Sequence, residues 1–428
     1  MQSDDRRSSS ERGESNFRKS QLQKRLDRRE FFRFTGAVAA AAWMPNVSWA
    51  LEAETAKPQA QWPVTMKFPE KAELLLQSDR PPNLESPLHV FRDDITSNEN
   101  FYVRWHLGIL PTKVDTATFR LTIGGHVGQP LSLSIDELKK NFEAVSVIAV
   151  NQCSGNSRSK YEPRMPGVQW GNGAMGNAKW TGVRLRDLLT KSNVKPGAVE
   201  VSFNGLDEPT LPAATGFAGT PDFVKSLPFD RANDGEVMVA YEMNGEPLPM
   251  LNGFPLRLVV PGWYATYWVK ALNQIEVLDK PFTGFWMAKA YRVPNTPDFQ
   301  EAPKALAKDT VPIHRMTVRS LFVRPEPNEK VAAGTEYEVQ GLAIDGGSGT
   351  KKVEISLDAG QTWTDAKLDP ELGKYSWRRW RFAWKPVPGK HQIRVRATNA
   401  AGETQTTAQW NRSGYARNVI ESLEVNVG

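Results

Sequence analysis

The sequence predicts an α+β protein with two folded domains, a mixed α/β domain followed by an immunoglobulin-like β-sandwich. Between about residues 86 and 305, short apolar runs of strand type are interspersed with two short helical patterns. From residue 311 to the end, the apolar runs alternate with period two, as strands with one buried face do. Residues 300–310 are rich in proline, alanine and charge, and are interpreted as a linker.

The first domain, residues 86–305, is predicted to contain short elements. The strand-like runs are Thr118–Ile123, Val145–Val150, Val199–Phe203, Val237–Tyr241 and Leu256–Val260. The helical patterns are Ser134–Asn141 and Leu185–Lys191. Asn244-Gly245 marks a tight turn, because both residue types tolerate positive φ.

The second domain, residues 311–428, consists of alternating strands separated by glycine-rich turns. The strand patterns are Glu336–Gln340, Lys352–Ser356, His391–Ala397 and Glu421–Val427. Turn signals occur at Asp345-Gly-Gly-Ser-Gly349 and Pro388-Gly389. Several short strands with such spacing predict a sandwich of the immunoglobulin type.

The first 50 residues carry the pattern of an export signal. Asp27-Arg-Arg-Glu-Phe-Phe-Arg33 resembles the twin-arginine motif, the apolar run from Phe34 to Trp43 is too short to span a bilayer, and Ser48-Trp-Ala50 offers a cleavage site. The alternative is an amphipathic helix with a chance arginine pair. We therefore expect a signal peptide over residues 1–50, an extended segment over residues 51–85, recognition by the twin-arginine export machinery and a periplasmic protein without a transmembrane anchor after cleavage.

The net charge of +6 does not indicate nucleic-acid binding. Ten basic and six acidic side chains lie in the first 50 residues, so the remainder carries only about +2. A field this weak, without a nucleic-acid motif, argues against nucleic acid as a partner.

Cys153 is the only cysteine, and an exported protein normally carries cysteines in pairs. A lone thiol is a buried apolar residue, a reactive group or a metal ligand. It follows the apolar run Val145–Val150 and opens the polar stretch Asn151-Gln-Cys-Ser-Gly-Asn-Ser-Arg158. Cys153 is therefore predicted at the point where a buried strand opens into a loop, where sites are often built.

Basic and aromatic residues recur in the polar loops of this domain. Arg104 and His106 are two apart and share a face of an extended segment, and Arg158 shares the loop of Cys153. Arg257 and Lys270 flank an apolar strand, and Tyr291 follows. Taken singly, each is more often a solvated or structural residue. Together they indicate an electropositive pocket around a thiolate, which suits a transition metal.

Other cofactors lack their patterns. The remaining histidines have no zinc-type spacing with Cys153. There is no Cys-x-x-Cys-His for covalent haem and no Gly-x-Gly-x-x-Gly before a helix for a nicotinamide cofactor.

Ordered motifs in this chain resemble a known family. They are Arg104-x-His106, Asn151-Gln-Cys-Ser-Gly-Asn-x-Arg158, Gly205-Leu-Asp207, Tyr241-Glu-Met-Asn-Gly-x-Pro-Leu-Pro249, Gly253-Phe-Pro-Leu-Arg-Leu-Val-Val-Pro-Gly262 and Val269-Lys270. Their order over residues 86–428 resembles the sulfite oxidase family of molybdenum enzymes, and within it the bacterial sulfite dehydrogenases that are linked to cytochrome c.

The resemblance implies a role for each matching residue. Cys153 would be the protein thiolate ligand of a molybdenum–molybdopterin cofactor with one molybdenum per chain. The side chains that would hold the pterin and its phosphate are His106, Asp207, Asn252, Arg257 and Lys270. The residues that would line the cofactor through their backbone are Tyr102, Val103, Trp268 and Val269. The residues that would face the substrate are Arg104 (which would also border the cofactor), Arg158, Tyr291 and Arg417, with Arg412 as a rival for the last.

Two departures accompany the resemblance. The vertebrate enzymes carry histidine where Asn252 stands and an Arg-His pair where Tyr267-Trp268 stands. They also carry a haem domain, whereas residues 1–85 lack paired haem histidines. We therefore expect no haem in this chain and a separate c-type cytochrome as electron acceptor.

The resemblance implies oxidation of sulfite to sulfate, and its C-terminal domain allows a homodimer. The alternative enzyme is the molybdenum subunit of a sulfane dehydrogenase in thiosulfate oxidation. A periplasmic methionine sulfoxide reductase fits less well, because such proteins usually lack the C-terminal sandwich. A non-catalytic exported binding protein, with Cys153 merely buried, is the alternative outside the enzymes.

Overall fold

The computed structural model describes residues 65–209 and 221–428, so the predicted signal peptide lies outside the described residues. The first described strands form a four-stranded antiparallel sheet in the order β1-β2-β3-β4. These strands are β1 (Thr65–Lys67), β2 (Glu73–Asp79), β3 (Pro82–Glu85) and β4 (Val103–Arg104). Part of the segment predicted as extended therefore forms a sheet with the strand that carries Arg104.

Two five-stranded sheets form the centre of the first domain. The first has the order β10-β9-β14-β5-β6, and its pairings are antiparallel except for β14 with β5. Its strands are β5 (Leu121–Gly125), β6 (Leu131–Leu133), β9 (Glu200–Gly205), β10 (Lys225–Pro228) and β14 (Leu272–Leu278). The second has the antiparallel order β12-β11-β8-β7, with β13 also paired to β11. Its strands are β7 (Val145–Gln152), β8 (Met175–Arg184), β11 (Met238–Met243), β12 (Glu246–Pro247) and β13 (Arg257–Val259).

Helices in the described residues are short. The α-helices are α1 (Ile135–Asn141), α2 (Leu185–Lys191), α3 (Phe229–Ala232) and α4 (Phe285–Ala288). The 3-10 helices are Leu88–Arg92, Arg158–Lys160, Met250–Asn252, Ala265–Tyr267 and Pro297–Phe299. Helix α1 begins at Ser134 because that side chain accepts from the Glu137 amide while the Glu137 carboxylate accepts from the Ser134 amide. No helix among these has the length and apolar character needed to cross a membrane.

The second domain is a β-sandwich, as predicted. One sheet has the order β17-β19-β23-β22 and the other β18-β25-β24-β20-β21. The strands are β17 (Arg319–Arg324), β18 (Lys330–Val331), β19 (Tyr337–Ile344), β20 (Thr350–Ser356), β21 (Thr364–Asp365), β22 (Lys367–Leu368), β23 (Arg378–Trp384), β24 (Gly389–Asn399) and β25 (Glu421–Val427). The hairpin of β15 (Arg292–Pro294) and β16 (Thr310–Pro312) precedes it. Val339, Ile355, Trp380 and Val395 are fully buried between the sheets, so the period-two pattern reports a real buried face.

The two domains share a buried apolar cluster. Val150 and Tyr291 from the first domain join Leu321 and Trp377 from the second in one cluster of buried residues. The backbone amide of Val150 also donates to the carbonyl of Tyr375 at 2.9 Å. Because strand β7 carries Val150 and leads into Cys153, the second domain supports the strand that presents the thiol.

Candidate active site

Cys153 lies in the first turn after β7, with only 7% of its surface exposed. Its amide donates to the carbonyl of Ala174 at 2.9 Å, and its carbonyl accepts from the amide of Asn156 at 3.0 Å. These two hydrogen bonds fix the backbone at the point where the strand ends. The thiol therefore has a defined direction, into an inner cavity.

Most of the predicted site residues line this inner cavity. Those that do are Tyr102, Arg104, His106, Cys153, Asn252, Arg257, Lys270 and Tyr291. They come from segments up to 189 residues apart in the chain, from Tyr102 to Tyr291. Tyr102 directly precedes strand β4, which supplies Arg104, the loop after β7 supplies the thiol, and Tyr291 directly precedes β15.

A wider outer cavity adjoins the inner one. Arg104, Cys153 and Tyr291 line both cavities. The outer cavity is also lined by Arg158 and by Tyr415 from the second domain. The thiol thus lies where the two cavities meet, so groups bound in either one could reach it.

His106 and Tyr291 form a pair beside Cys153. The Nε2 atom of His106 is hydrogen-bonded to the Tyr291 hydroxyl, and the imidazole stacks on Phe223 with ring centroids 3.8 Å apart. Burial, together with Arg104 and Lys270, holds the pKa of His106 well below its usual range. The imidazole is therefore neutral at pH 7, and its buried Nδ1 atom has no partner in the described part of the chain.

Tyr291 is held in an uncommon backbone conformation, with φ at 56°. Its ring stacks on that of Tyr415, with centroids 5.3 Å apart and planes 1° apart. Burial raises the pKa of its hydroxyl, so Tyr291 stays protonated at neutral pH.

The cations of the inner cavity have no acidic neighbour on its wall. Burial and the charge of Arg257 lower the pKa of Lys270 to about 7, while Asp207 opposes that shift. Burial also lowers the pKa of Arg257 to about 10. Among the described residues, no carboxylate lines either cavity. An uncompensated buried cation is costly, so this wall favours an anionic ligand.

Aromatic rings hold the two cations in place. The Arg257 guanidinium lies 5.1 Å from the ring centroid of Trp180 and 5.7 Å from that of Trp268, and Nη1 donates to the Asn252 carbonyl at 3.0 Å. The Lys270 ammonium lies 4.4 Å from the ring centroid of Trp105. The direction of both cations is set before any ligand binds.

The side-chain amide of Asn252 is hydrogen-bonded to other protein groups. Its Oδ1 atom accepts from the buried Lys71 ammonium, and its Nδ2 atom donates to the Tyr102 carbonyl at 3.2 Å. The side-chain amide thus joins three segments of the cavity wall. Through Lys71, the sheet of β1 to β4 takes part in the site.

The structure places the other predicted residues outside the inner cavity wall. Val103, Trp268 and Val269 are buried beside it, and Asp207 is buried close enough to affect Lys270. The guanidinium of Arg417 is not brought to either cavity, because it pairs with Glu421 at 3.2 Å. Its rival Arg412 lines the outer cavity, but its guanidinium is bound to Glu301.

Sequence reasoning missed several residues in and beside the two cavities. Phe223 lines the inner cavity and Trp170 the outer one, while Lys71 and Lys225 line neither but contact the wall residues Asn252 and Tyr291. Trp170 lines the outer cavity with a buried indole N–H that has no partner in the described structure. The Lys225 ammonium lies 4.9 Å from the ring centroid of Tyr291, and burial lowers its pKa to about 7. No short motif marks any of the four, since each acquires its role through contacts distant in sequence.

Unpaired polar atoms point to what the inner cavity binds. The wall residues with a buried polar atom that lacks a hydrogen-bond partner in the described chain are His106 (Nδ1), Asn151 (Nδ2), Ser154 (Oγ), Arg257 (Nε) and Thr266 (Oγ1). Buried polar atoms are rarely left unpaired in native proteins. Their concentration on one wall indicates a polar ligand with several hydrogen-bonding groups. Clusters of three or more His, Cys, Asp or Glu side chains that could hold a metal do not occur in residues 65–209 and 221–428, so Cys153 has no such companions.

Two protein-family models match this chain and show which class of protein it is. Residues 106–286 match the model of the oxidoreductase molybdopterin binding domain, and residues 310–427 match that of the Mo-co oxidoreductase dimerisation domain. The chain is a molybdopterin-binding oxidoreductase.

Individual proteins that are similar to this chain show to which family of molybdopterin enzymes it belongs. The chain is 34% identical to mitochondrial sulfite oxidase of Homo sapiens over 408 residues, covering 90% of this chain and 70% of that protein. It is 30% identical to nitrate reductase [NADH] 1 of Oryza sativa subsp. japonica, covering 82% of this chain and 40% of that protein. The sulfane dehydrogenase SoxCD of Paracoccus pantotrophus has a similar fold, with a TM-score of 0.70, 23% identity and coverage of 90% of this chain and 96% of that one. The chain belongs to the sulfite oxidase family of molybdopterin enzymes.

The predicted family and fold class are thus confirmed. The inner cavity also fits the cofactor of this class. Molybdopterin is polar and carries a phosphate, and the wall offers cations, unpaired donors and a soft thiol ligand together.

Proposed function

We propose that this protein oxidises sulfite to sulfate in the periplasm and passes the electrons to a separate c-type cytochrome. The observation that carries the proposal is the meeting of two acid-free cavities at Cys153, with Arg104 common to both and Arg158 on the outer one. Kinship with the vertebrate sulfite oxidases supports the same substrate. The predicted export motif, outside the described residues, supports the location.

The inner cavity would hold the cofactor. Cys153 would ligate the molybdenum, and the unpaired Nε of Arg257 and Nδ1 of His106 would donate to the pterin or its phosphate. Lys270 would add charge there, because an adjacent phosphate raises the pKa of the ammonium and keeps it protonated. When bound, the molybdenum centre supplies oxygen-atom transfer, by which sulfite and water become sulfate, two protons and two electrons.

The outer cavity would bind the oxyanion. Arginine suits this task because its planar donors contact two oxygens and remain charged. The Arg158 guanidinium is held by the carbonyl of Val168 at 3.1 Å and that of Ser413 at 3.2 Å, while its buried Nε is unpaired. Arg104 Nη1 bonds Asn83 Oδ1 at 3.2 Å. Both guanidinium groups are therefore oriented before the substrate arrives.

Tyr291 and His106 would link the two cavities by a hydrogen bond. The pKa of the phenol is raised and that of the imidazole is lowered, so the hydroxyl keeps its proton and the imidazole is neutral. The hydroxyl can then donate to Nε2, which puts the imidazole proton on Nδ1, where it can be donated to the cofactor. Because its single proton is donated to Nε2, the Tyr291 hydroxyl would position the imidazole and would border the oxyanion beside Cys153 without donating to it.

The oxidation of a carrier-bound sulfane sulfur is the second candidate. The observation that favours it is the outer cavity, which is wider than the inner one and is lined by residues of both domains, from Arg158 to Tyr415, so a carrier could present its sulfur there. The fold similarity to a sulfane dehydrogenase is compatible with this substrate as well.

A direct assay separates these candidates. The purified, cofactor-loaded protein should contain one molybdenum per chain and reduce cytochrome c or ferricyanide with free sulfite. Activity only with a carrier-bound sulfane substrate would favour the second candidate. Reduction of nitrate without sulfite oxidation, or the absence of molybdenum after expression with cofactor synthesis and export, would overturn the proposal.

We also propose a homodimer through the second domain, on the basis of its match to a dimerisation domain. Sedimentation of the full chain should give twice the monomer mass of 47.9 kDa. A monomer under the same conditions would contradict it.

A further inference from the structure

A third cavity lies between the two domains, beside strands β24 and β25 of the second domain. This seam pocket is lined, among others, by Lys160 of the first domain and by Gln392, Arg394, Thr407, Arg417 and Glu421 of the second. It has no part in the function proposed above. Its wall is basic, and its chemistry can be derived from the charges.

One carboxylate serves three cations in this region. Glu421 is buried and pairs with Lys160, with Arg417 at 3.2 Å and with Arg319 at 3.6 Å. It also accepts from Asn172 Nδ2 at 3.0 Å. Among the described residues no second carboxylate lines the pocket. The group of three cations and Glu421 therefore carries an excess of about two positive charges.

Arg394 adds a fourth cation that has no carboxylate partner in the described structure. Its Nη2 atom donates to Gln392 Oε1 at 3.3 Å, and its buried Nε atom has no hydrogen-bond partner. The neighbouring Arg396, two residues along the same face of β24, pairs with Glu354 at 2.9 Å. Strand β24 thus carries Arg396, which has a carboxylate counter-ion, and Arg394, which has none in the described structure and lines the pocket.

From this juxtaposition we infer that the seam pocket binds a small tetrahedral oxyanion, sulfate or inorganic phosphate. A dianion would offset most of the excess charge, and it has enough oxygens to accept from Arg394 and from Lys160 or Arg417 together. Arginine is the residue type best suited to such an ion. The inference does not depend on sulfite oxidation, because binding at the seam requires no turnover.

The test is titration calorimetry of the loaded protein with sodium phosphate and, separately, sodium sulfate at constant ionic strength. Besides any oxyanion that enters the outer cavity, wild type should bind one per chain at a site that Arg394→Gln weakens at least about tenfold, the usual effect of losing a charge-assisted hydrogen bond. Arg396→Gln is the matched control. It removes the same charge from the same strand, its partner Glu354 keeps Lys352 at 2.9 Å, and binding should be unchanged.

A second variant protects the test against misfolding. Thr407→Glu changes an exposed residue of the pocket wall and should also weaken binding by charge repulsion. Oxyanion binding that is equal in wild type, Arg394→Gln and Thr407→Glu would overturn the inference, as would the absence of binding in wild type. Tighter binding of sulfate than of phosphate would assign the pocket to the product of the proposed reaction, and the reverse to free phosphate. Either result supports an oxyanion site.

Discussion

Two clusters of cations adjoin the segment from Cys153 to Lys160, and they differ in their counter-ions. The inner cavity contains Arg257 and Lys270, with no carboxylate on its described wall. The cluster around Glu421 contains Lys160, Arg319 and Arg417, all paired with that carboxylate. The first cluster leaves several wall atoms without partners, whereas both oxygens of Glu421 have partners.

The difference separates a binding function from a structural one. Cations that share a buried carboxylate hold two domains together, and the loss of that carboxylate is felt in stability. Cations that line a cavity with no carboxylate on its wall favour an anion from outside, and their removal is felt in binding. Variants of each cluster should therefore fail in different measurements.

The largest effect is expected for Cys153→Ser. Loss of the thiolate ligand should lower turnover at least about 10⁴-fold, or more than about 5 kcal/mol in activation free energy. Serine has almost the volume of cysteine, so circular dichroism and thermal unfolding should match wild type. Sulfite oxidation near the wild-type rate would remove Cys153 from the metal.

Glu421→Gln should destabilise the protein by about 3–5 kcal/mol, because three cations lose their shared counter-ion in a buried place. Urea unfolding measures this. Glu338→Gln is the control, since Glu338 and Arg381 form an exposed pair at 3.1 Å that should contribute less than about 1 kcal/mol. Equal losses of unfolding free energy in Glu421→Gln and Glu338→Gln would show that the buried ion pairs stabilise the protein no more than an exposed one.

The same carboxylate should make stability depend on acid. Burial opposes ionisation, but Lys160, Arg319 and Arg417 lower the pKa of Glu421 to about 2 from an ordinary 4.5. Below pH 4.5 the Glu421 carboxylate binds a proton in the unfolded chain but stays ionised in the folded chain. The free energy of unfolding therefore falls as the pH falls towards 2. Between pH 5 and pH 3, wild type should lose about 2 kcal/mol more than Glu421→Gln. Parallel pH profiles of the two proteins would contradict the pairing.

Arg104→Gln should raise KM for sulfite at least about tenfold, or about 1.4 kcal/mol, with unfolding unchanged. Arg120→Gln, which removes an exposed arginine of the same domain, should leave KM as it is. An unaltered KM in Arg104→Gln would assign the oxyanion to other residues.

Local signals made much of the fold predictable. The strand before Cys153, the helix capped by Ser134 and the alternating strands of the second domain were all visible, because each depends on neighbours in the chain. The strand β7 runs on to Gln152, two residues beyond the predicted run, because its polar end pairs with Met175 and Gly176 of β8.

The site was predictable only where the family motifs reach it. Lys71 contacts Asn252 across 181 residues and lies in a segment whose composition indicates nothing but an extended chain. Arg417 resembled a substrate ligand in sequence, yet the structure pairs it with Glu421, four residues along the chain. Whether an arginine meets a carboxylate or a cavity depends on the directions that the side chains take in the folded chain, which residue spacing alone does not record.

The three-residue turn Arg158–Lys160 has a consequence for domain exchange. Arg158 at its start rests on the Ser413 carbonyl, and Lys160 at its end meets Glu421, so both ends of the turn are seated in the other domain. A chimaera with the second domain of a relative would have to preserve the contacts made by Ser413 and Glu421. Without them the Arg158 guanidinium would be misplaced, although the sequence of the first domain had not been altered.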